Sequence, residues 1–478
     1  MRKQAFYLLV ALLVVLPLIA TYAQDNFGAH PRGQDWHILS SPAVRVIFPI
    51  GMDSSARRVA SIINYIDTTN RRSIGPLKKR IDVVLQNQTV NPNGYVALAP
   101  FHSEFYSTPP QSSLVTGSTN WLDLLAIHEY RHVMQSVNSR RGIVKPLYWL
   151  QGEGIWSAMN ALVTPNWYSE GDAVIMETAL TEAGRGRAPF FTLQQRALAQ
   201  ADLNYRYAKH RNGSYRSMLP NQYPLGYLML NKLRNEKGND ITAKILKDAT
   251  RFIPPFYSFS WAMKRHTGYT TPKLYRAAWQ DFKEKTAGEL QQTELIPHES
   301  LTDSDPKRVT RYSYPLMLDD GTLIARKATY ATTDRIVSIR GNEETTLTTI
   351  GFNQDHMLAQ GGGLLAWAES TKDPRRGNRD YSDIVTYDVK SGQKHRLTKF
   401  TRYFSPSVSP DGQRIAVVHI SPTQQNEILI LDARTGTVTK RIPNPKNYFL
   451  RRTAWTADAQ AVVSIANSDG KLALLMGE

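Results

Sequence analysis

Cysteine is missing from all 478 residues of this chain, which excludes disulfides, thiolate metal ligands and a lipid-modified N-terminal cysteine. Acid is in short supply as well: 41 Asp and Glu stand against 58 Lys and Arg, a formal charge of +17. That imbalance favours anionic surroundings such as acidic polysaccharide or lipid head groups. The basic residues are scattered, however, so a solvated basic surface accounts for them and nucleic acid is not an expected partner. Long apolar runs are equally scarce, the one example being residues 5–20. Met1-Arg2-Lys3 before it and Thr21-Tyr22-Ala23 after it supply the charged start and small-residue cleavage site of an export signal over residues 1–23. The run is short for a membrane span, a retained anchor being the alternative. The mature chain is expected to be secreted or periplasmic, associated with the cell envelope at most through partners, and to have no transmembrane segment.

What is present falls into three textures, too long for one compact domain. Residues 24–117 alternate strand-like and helix-like pieces: Val44 to Pro49, Arg80 to Gln86 and Tyr95 to Leu98 read as strands, and Ser54 to Thr69 as a helix. Residues 118–300 are mainly helical, with a run from Tyr227 to Thr250 and a last one from Pro272 to Leu290. From 305 to 478 short β runs are separated by Asp-Gly, Ser-Gly and Thr-Gly turns. The expected fold class is multidomain: an α+β domain followed by an all-β, propeller-like one.

The most informative stretch is His128-Glu129-Tyr130-Arg131-His132. Positions i and i+4 lie about 40° apart around a helix, so both imidazoles leave one face and can grip one metal. Glu129 projects beside them, placed to take a proton from a metal-bound water without being a ligand. The flanks support a helix: Asn120 can cap it, Asp123 sits in the first turn, and Trp121, Leu124, Leu125, Ile127 and Met134 supply an apolar face. Beyond a polar connection through Arg140, Arg141, Gly142 and Pro146 comes Trp149-Leu150-Gln151-Gly152-Glu153-Gly154-Ile155-Trp156, the start of a second helix. Twenty residues (133–152) separate His132 from Glu153, a span suited to a helix end, a loop and a helix packed against the first, which offers Glu153 as third ligand.

In these residues the chain resembles the gluzincins, the thermolysin-like and aminopeptidase-like zinc peptidases, in which two His come from HExxH and a Glu from the next helix, often within a Trp-Leu-x-Glu-Gly-like string. The resemblance implies Zn2+ on His128, His132 and Glu153, with Glu129 as general base. It also implies a small sheet ahead of the HExxH helix whose edge strand aligns a substrate backbone. Ser157 stands four residues after Glu153, where thermolysin-like enzymes carry an Asp that orients a ligand His, so that role has no owner here. Tyr223-Pro224-Leu225-Gly226 matches the Tyr-x-x-Gly string whose Tyr donates to the developing oxyanion, which implies that role for Tyr223; His210, Tyr205 and Tyr227 are the substitutes. Nothing between Ile81 and Asn120 matches the Gly-x-Met-Glu-Asn string of the aminopeptidase branch, so an endopeptidase is implied.

The C-terminal region carries three similar units, Tyr314 to Ile339, Gly363 to Leu397 and Phe404 to Ile442, and a fourth that begins at Thr453 to Ala457. A repeat of alternating strands with Asp-Gly hairpins is a propeller signature, a β-sandwich being the alternative. Ser409-Pro410-Asp411-Gly412-Gln413-Arg414-Ile415-Ala416 followed by Ile428 to Asp432 resembles the blades of TolB-like and WD-repeat-like propellers. Three and a fraction blades do not close a ring, so either a longer product continues past Glu478 or the propeller is open and needs a partner edge. The layout as a whole resembles the peptidase-MA-like secreted proteins of bacteria. It implies a zinc metallopeptidase acting on a peptide or protein, with blades that recruit substrate, an envelope protein or an anionic polysaccharide. The rival readings are a non-catalytic envelope scaffold and a zinc amidase acting on cell-wall material.

Overall fold

The computed structural model describes residues 29–477 apart from 252–257, 295, 298, 303–307, 354 and 356. The expected export signal, residues 1–23, lies outside the described residues. Among those described, no helix is long and apolar enough to cross a membrane.

Five strands open the chain: β1 (Trp36–Ser40), β2 (Val44–Pro49), β3 (Ile81–Gln86), β4 (Asn93–Leu98) and β5 (Phe101–Tyr106). They form one sheet in the order β1-β2-β3-β5-β4, in which β2, β3 and β5 run parallel while β1 and β4 are antiparallel edges. Alternation sets its buried face, with Val44, Val46 and Phe48 of β2 and Ile81, Val83 and Leu85 of β3 turned inward. Two strands, β1 and β5, were not read from the sequence, because Trp-His-Ile-Leu-Ser and Phe-His-Ser-Glu-Phe-Tyr mix polar and apolar residues without clean alternation.

Helix α1 (Asp53–Thr69) makes the crossover from β2 to β3 and buries Ala56, Val59, Ala60, Ile63 and Ile66. Helix α2 (Trp121–Ser139) carries the HExxH string, with the Asn120 side chain accepting from the Leu122 N–H at its start. Next come α3 (Val144–Val163), α4 (Asn166–Leu180), α5 (Gln222–Lys237), α6 (Ile241–Ala249) and, after short helices, α7 (Thr271–Gln291). The single helix expected from Tyr227 to Thr250 is broken into α5 and α6 at Gly238, whose φ of 84° ends α5. Sheet and helices share one apolar core running from Ala43 to Ala278.

The C-terminal region is four antiparallel sheets in succession: β6–β9 (Thr310 to Thr349), β10–β13 (Ala359 to Arg396), β14–β17 (Tyr403 to Ile442) and the three-stranded β18–β20 (Phe449 to Gly477). Consecutive sheets share apolar clusters. Trp367 and Val385 meet Ile324 and Ile336, Val417 and Leu429 meet Ala368 and Ile384, and Leu450 and Val462 meet Val418 and Ile428. This succession of blades is propeller-like and not the pair of facing sheets of a sandwich. The first strands of three blades share one device, a register shift at a residue of positive φ: Tyr314, Ser405 and Arg452.

The blades grip the two connections that lead into β4 and α2. Asp380 accepts from the Val90 N–H (2.6 Å) and Asn91 Nδ2 (2.8 Å) between β3 and β4. Between β5 and α2, Arg402 donates to Thr108 Oγ1 (2.7 Å), Ser405 to Gln111 Oε1 (2.8 Å) and Asn467 to the Ser118 carbonyl (2.8 Å).

Candidate functional site

Sixteen of the nineteen residues of α2 are buried, and the residues between the two His explain why the helix sits as it does. Tyr130 donates from its hydroxyl to Asp67 of α1. Arg131, fully buried, forks onto both carboxylate oxygens of Asp172 on α4 (2.6 and 3.1 Å) and onto Ser73. Arg234 of α5 closes on the same Asp172. With α2 locked from two sides, His128, Glu129 and His132 point into one pocket.

His128 Nε2 and His132 Nε2 stand 3.1 Å apart, and Glu170 Oε2 of α4 lies 3.2 Å from the first and 3.4 Å from the second. These are the separations of ligand atoms along the edges of a tetrahedron around zinc, about 3.3 Å for zinc-to-ligand bonds near 2.0 Å. The far side of each ring is held as well. His132 Nδ1 faces the Gln135 Oε1 (3.0 Å), an acceptor, and so carries its hydrogen, whereas His128 Nδ1 lies between the Glu177 carboxylate and the Arg185 Nη2 donor (2.9 Å). The Gln135 orientation is fixed in turn, because its Nε2 donates to the Ser169 carbonyl and to Asp172 (3.0 and 2.9 Å). Both Nε2 atoms face each other and the Glu170 carboxylate. Two imidazole nitrogens and a carboxylate converging in a largely enclosed pocket are a donor set that fits a divalent cation.

Glu153, expected as the third ligand, is not part of this set, and Glu170 stands where it was expected. The Glu153 carboxylate accepts from Lys79 Nζ (3.0 Å) and from the Phe101 N–H (2.8 Å). The reason is local: Gly152 adopts φ 68°, ψ −151°, a region open to glycine, and this breaks α3 and turns Glu153 toward the end of the sheet. Trp149 and Leu150 of the same string lie on the surface, 79% and 80% exposed.

Glu129 is buried beside the two imidazoles, and burial lifts its carboxyl above the ordinary range against the opposing pull of His128 and His132. It faces β4 at Gly94, where a methyl group would sit 3.2 Å from Glu129 Oε1 and closer still to the Leu125 side chain. Burial alone would lower His128 and raise Glu177. The Glu177 charge and the two carboxylate bonds outweigh it for His128, which rises to about 9, and Arg185 followed by His128 draws Glu177 down to about 2.

Tyr223 reaches the same pocket from α5, its ring centroid 6.1 Å from that of His128. Gly226 makes this approach possible. Its Cα side packs on Gly171 of α4, and a methyl group at 226 would overlap the Trp167 carbonyl. Burial first, then the neighbouring Glu170, pushes the Tyr223 hydroxyl well above its usual range, so it stays a neutral donor. Arg185 lies over the Tyr223 ring at 5.0 Å and pairs with Glu177. The substitutes stand elsewhere: His210 meets the Tyr275 hydroxyl (3.1 Å), the Tyr227 ring packs on Phe191, and Lys209 covers the Tyr205 ring. Sequence reasoning missed Glu170, Glu177, Gln135 and Arg185. The signal that was there is the pair Glu170 and Glu177, acids seven residues apart and therefore on one face of the helix.

No family model matches the chain, and no match is found among the curated proteins. Among solved structures, putative TolB from Agrobacterium tumefaciens is 17% identical, covering 37% of this chain and 64% of that one, with a TM-score of 0.30. TolB from Acinetobacter baumannii is 16% identical over 34% of this chain and 40% of that one, TM-score 0.26. The β-propeller domain of the Trilobed protease from Pyrococcus furiosus is 15% identical over 25% and 42%, TM-score 0.19. The chain thus spans less than two thirds of the length of each. Likenesses this distant say nothing about the pocket, which rests on its own geometry.

Proposed function

We propose that this chain is a zinc-dependent metallopeptidase, an endopeptidase, whose metal is held by His128, His132 and Glu170. The observation that carries the reading is the convergence of two imidazole nitrogens and a carboxylate oxygen at tetrahedral spacing beside a buried carboxylate and the edge strand β4. When bound, zinc lowers the pKa of a coordinated water and polarises a carbonyl. Glu129 takes the proton of the attacking water and passes it to the leaving nitrogen, a role its raised pKa suits. Tyr223 donates to the oxyanion from a hydroxyl that stays protonated. Glu177 and Gln135 orient the two imidazoles so that each Nε2 faces the pocket. A substrate backbone would align along β4, the sheet edge next to Glu129. The blades, by gripping residues 90–91 and 108–118, hold the approaches to that edge and to α2, and recruit a protein or polysaccharide partner.

Glu129→Gln tests the reading. The variant is expected to keep bound zinc and to lose casein cleavage by about a hundredfold or more, the scale of a positioned acid–base group. Zinc-loaded wild-type protein that cleaves neither casein nor a peptide library would sink it, and release of products from purified peptidoglycan instead would move the substrate to cell-wall amides.

A further inference from the structure

Helix α3 turns its apolar side outward. Ile143, which caps it, and Pro146, Leu147 and Leu150 in its first half follow the spacing i, i+3, i+4, i+7 that places residues along one face, and Trp149 widens that face. Ile143, Trp149 and Leu150 are 50%, 79% and 80% exposed, while Val144, Tyr148 and Trp156 on the opposite side make the contacts with the body of the protein. An outward stripe of this kind in a soluble fold marks an interaction surface.

Its rim identifies what it meets. From Arg140 to Gly152 there are three basic residues, Arg140, Arg141 and Lys145, and no acid. Arg251 adds a fourth, its carbonyl lying against Gly142. The one acid of α3, Glu153, is neutralised by Lys79. Arg140 is drawn over the inward-facing rings of Tyr148 and Trp156 (4.6 and 5.3 Å) and Arg141 donates to Asn138 (2.9 and 3.0 Å), which leaves Lys145 and Arg251 as the exposed cations beside the stripe. A Trp-Leu tip with a cationic collar, on a chain of formal charge +17, is complementary to a surface both apolar and anionic. A protein partner would need no such charge of one sign around the stripe.

We propose that the first half of α3 is an interfacial anchor that inserts Ile143, Trp149 and Leu150 into the head-group region of an anionic lipid bilayer. The helix lies flat in that surface and does not cross it. Lys145 and Arg251 meet the lipid phosphates, and the pocket of His128 stays on the aqueous side, one helix away.

The lack of cysteine gives a local readout. Leu150→Cys in the full chain, labelled with an environment-sensitive fluorophore, is expected to shift to the blue with vesicles of equal phosphatidylcholine and phosphatidylglycerol and not with phosphatidylcholine alone. Leu474→Cys, 77% exposed on a blade, is the control and is expected to stay unchanged. Adding Ile143→Ser and Trp149→Ser to the labelled chain should weaken the response about tenfold. Lys145→Glu should weaken it by a similar factor and more salt should do the same. An equal response at both labels, or the same response with neutral vesicles, overturns the proposal. So does a protein-concentration-dependent shift without lipid that Ile143→Ser and Trp149→Ser abolish, since the occupant is then a second copy of this chain.

Discussion

Helices α3 and α4 both follow the HExxH helix, both carry acids, and only one of them brings a carboxylate to the two imidazoles. α4 buries nine of its fifteen residues, while α3 buries three of twenty. The acids differ in the same way. On α4, Glu170 meets the imidazoles, Asp172 is enclosed by Arg131 and Arg234, and Glu177 by His128 and Arg185. On α3, Glu153 keeps a half-open pair with Lys79. A carboxylate reaches the imidazoles where packing fixes the helix that bears it, and proximity along the chain does not decide which helix that is.

The largest effect that separates the two helices is on metal binding. Glu170→Gln should cost more than the roughly 10- to 100-fold that outer-shell partners are worth, whereas Glu153→Gln should leave zinc affinity unchanged. Equilibrium dialysis with zinc checks both, and the reverse pattern would return the site to α3.

Stability comes second. Asp172→Ala leaves Arg131 and Arg234 buried without their counter-charge and should cost about 3–5 kcal/mol. Glu153→Ala breaks a partly exposed pair and should cost about 1 kcal/mol or less. Urea unfolding of the two variants measures the gap, and equal losses would mean that α4 is no better anchored than α3.

These contrasts show where the sequence was legible. His128, Glu129 and His132 were readable because i, i+4 spacing is a property of the helix itself, and the cap at Asn120 could be named for the same reason. Blade positions were readable too, since positive-φ turns such as Asp411-Gly412 and Thr435-Gly436 punctuate strands locally. Tyr223 could be singled out by its string, but its arrival beside His128 depends on Gly226 meeting Gly171, a long-range contact that no spacing reveals. Glu170 was hidden for the same kind of reason. Its helix is placed by Arg131, a residue inside the HExxH string that reads as filler until its partner Asp172 is found.

The smallest effect tests the kink itself. Gly152 has open space around its Cα, so a methyl group there meets no neighbour and the whole cost of Gly152→Ala is conformational. With φ 68°, ψ −151° retained, alanine should lower stability by about 1–3 kcal/mol. In a continuous helix the same change would instead raise it by about 1 kcal/mol, alanine being the better helix former. The sign of the shift in thermal midpoint therefore reports the backbone state of α3. A rise, joined to zinc binding that now responds to Glu153→Gln, would show that an unkinked α3 brings its own carboxylate to the imidazoles, and the difference between the two helices would vanish.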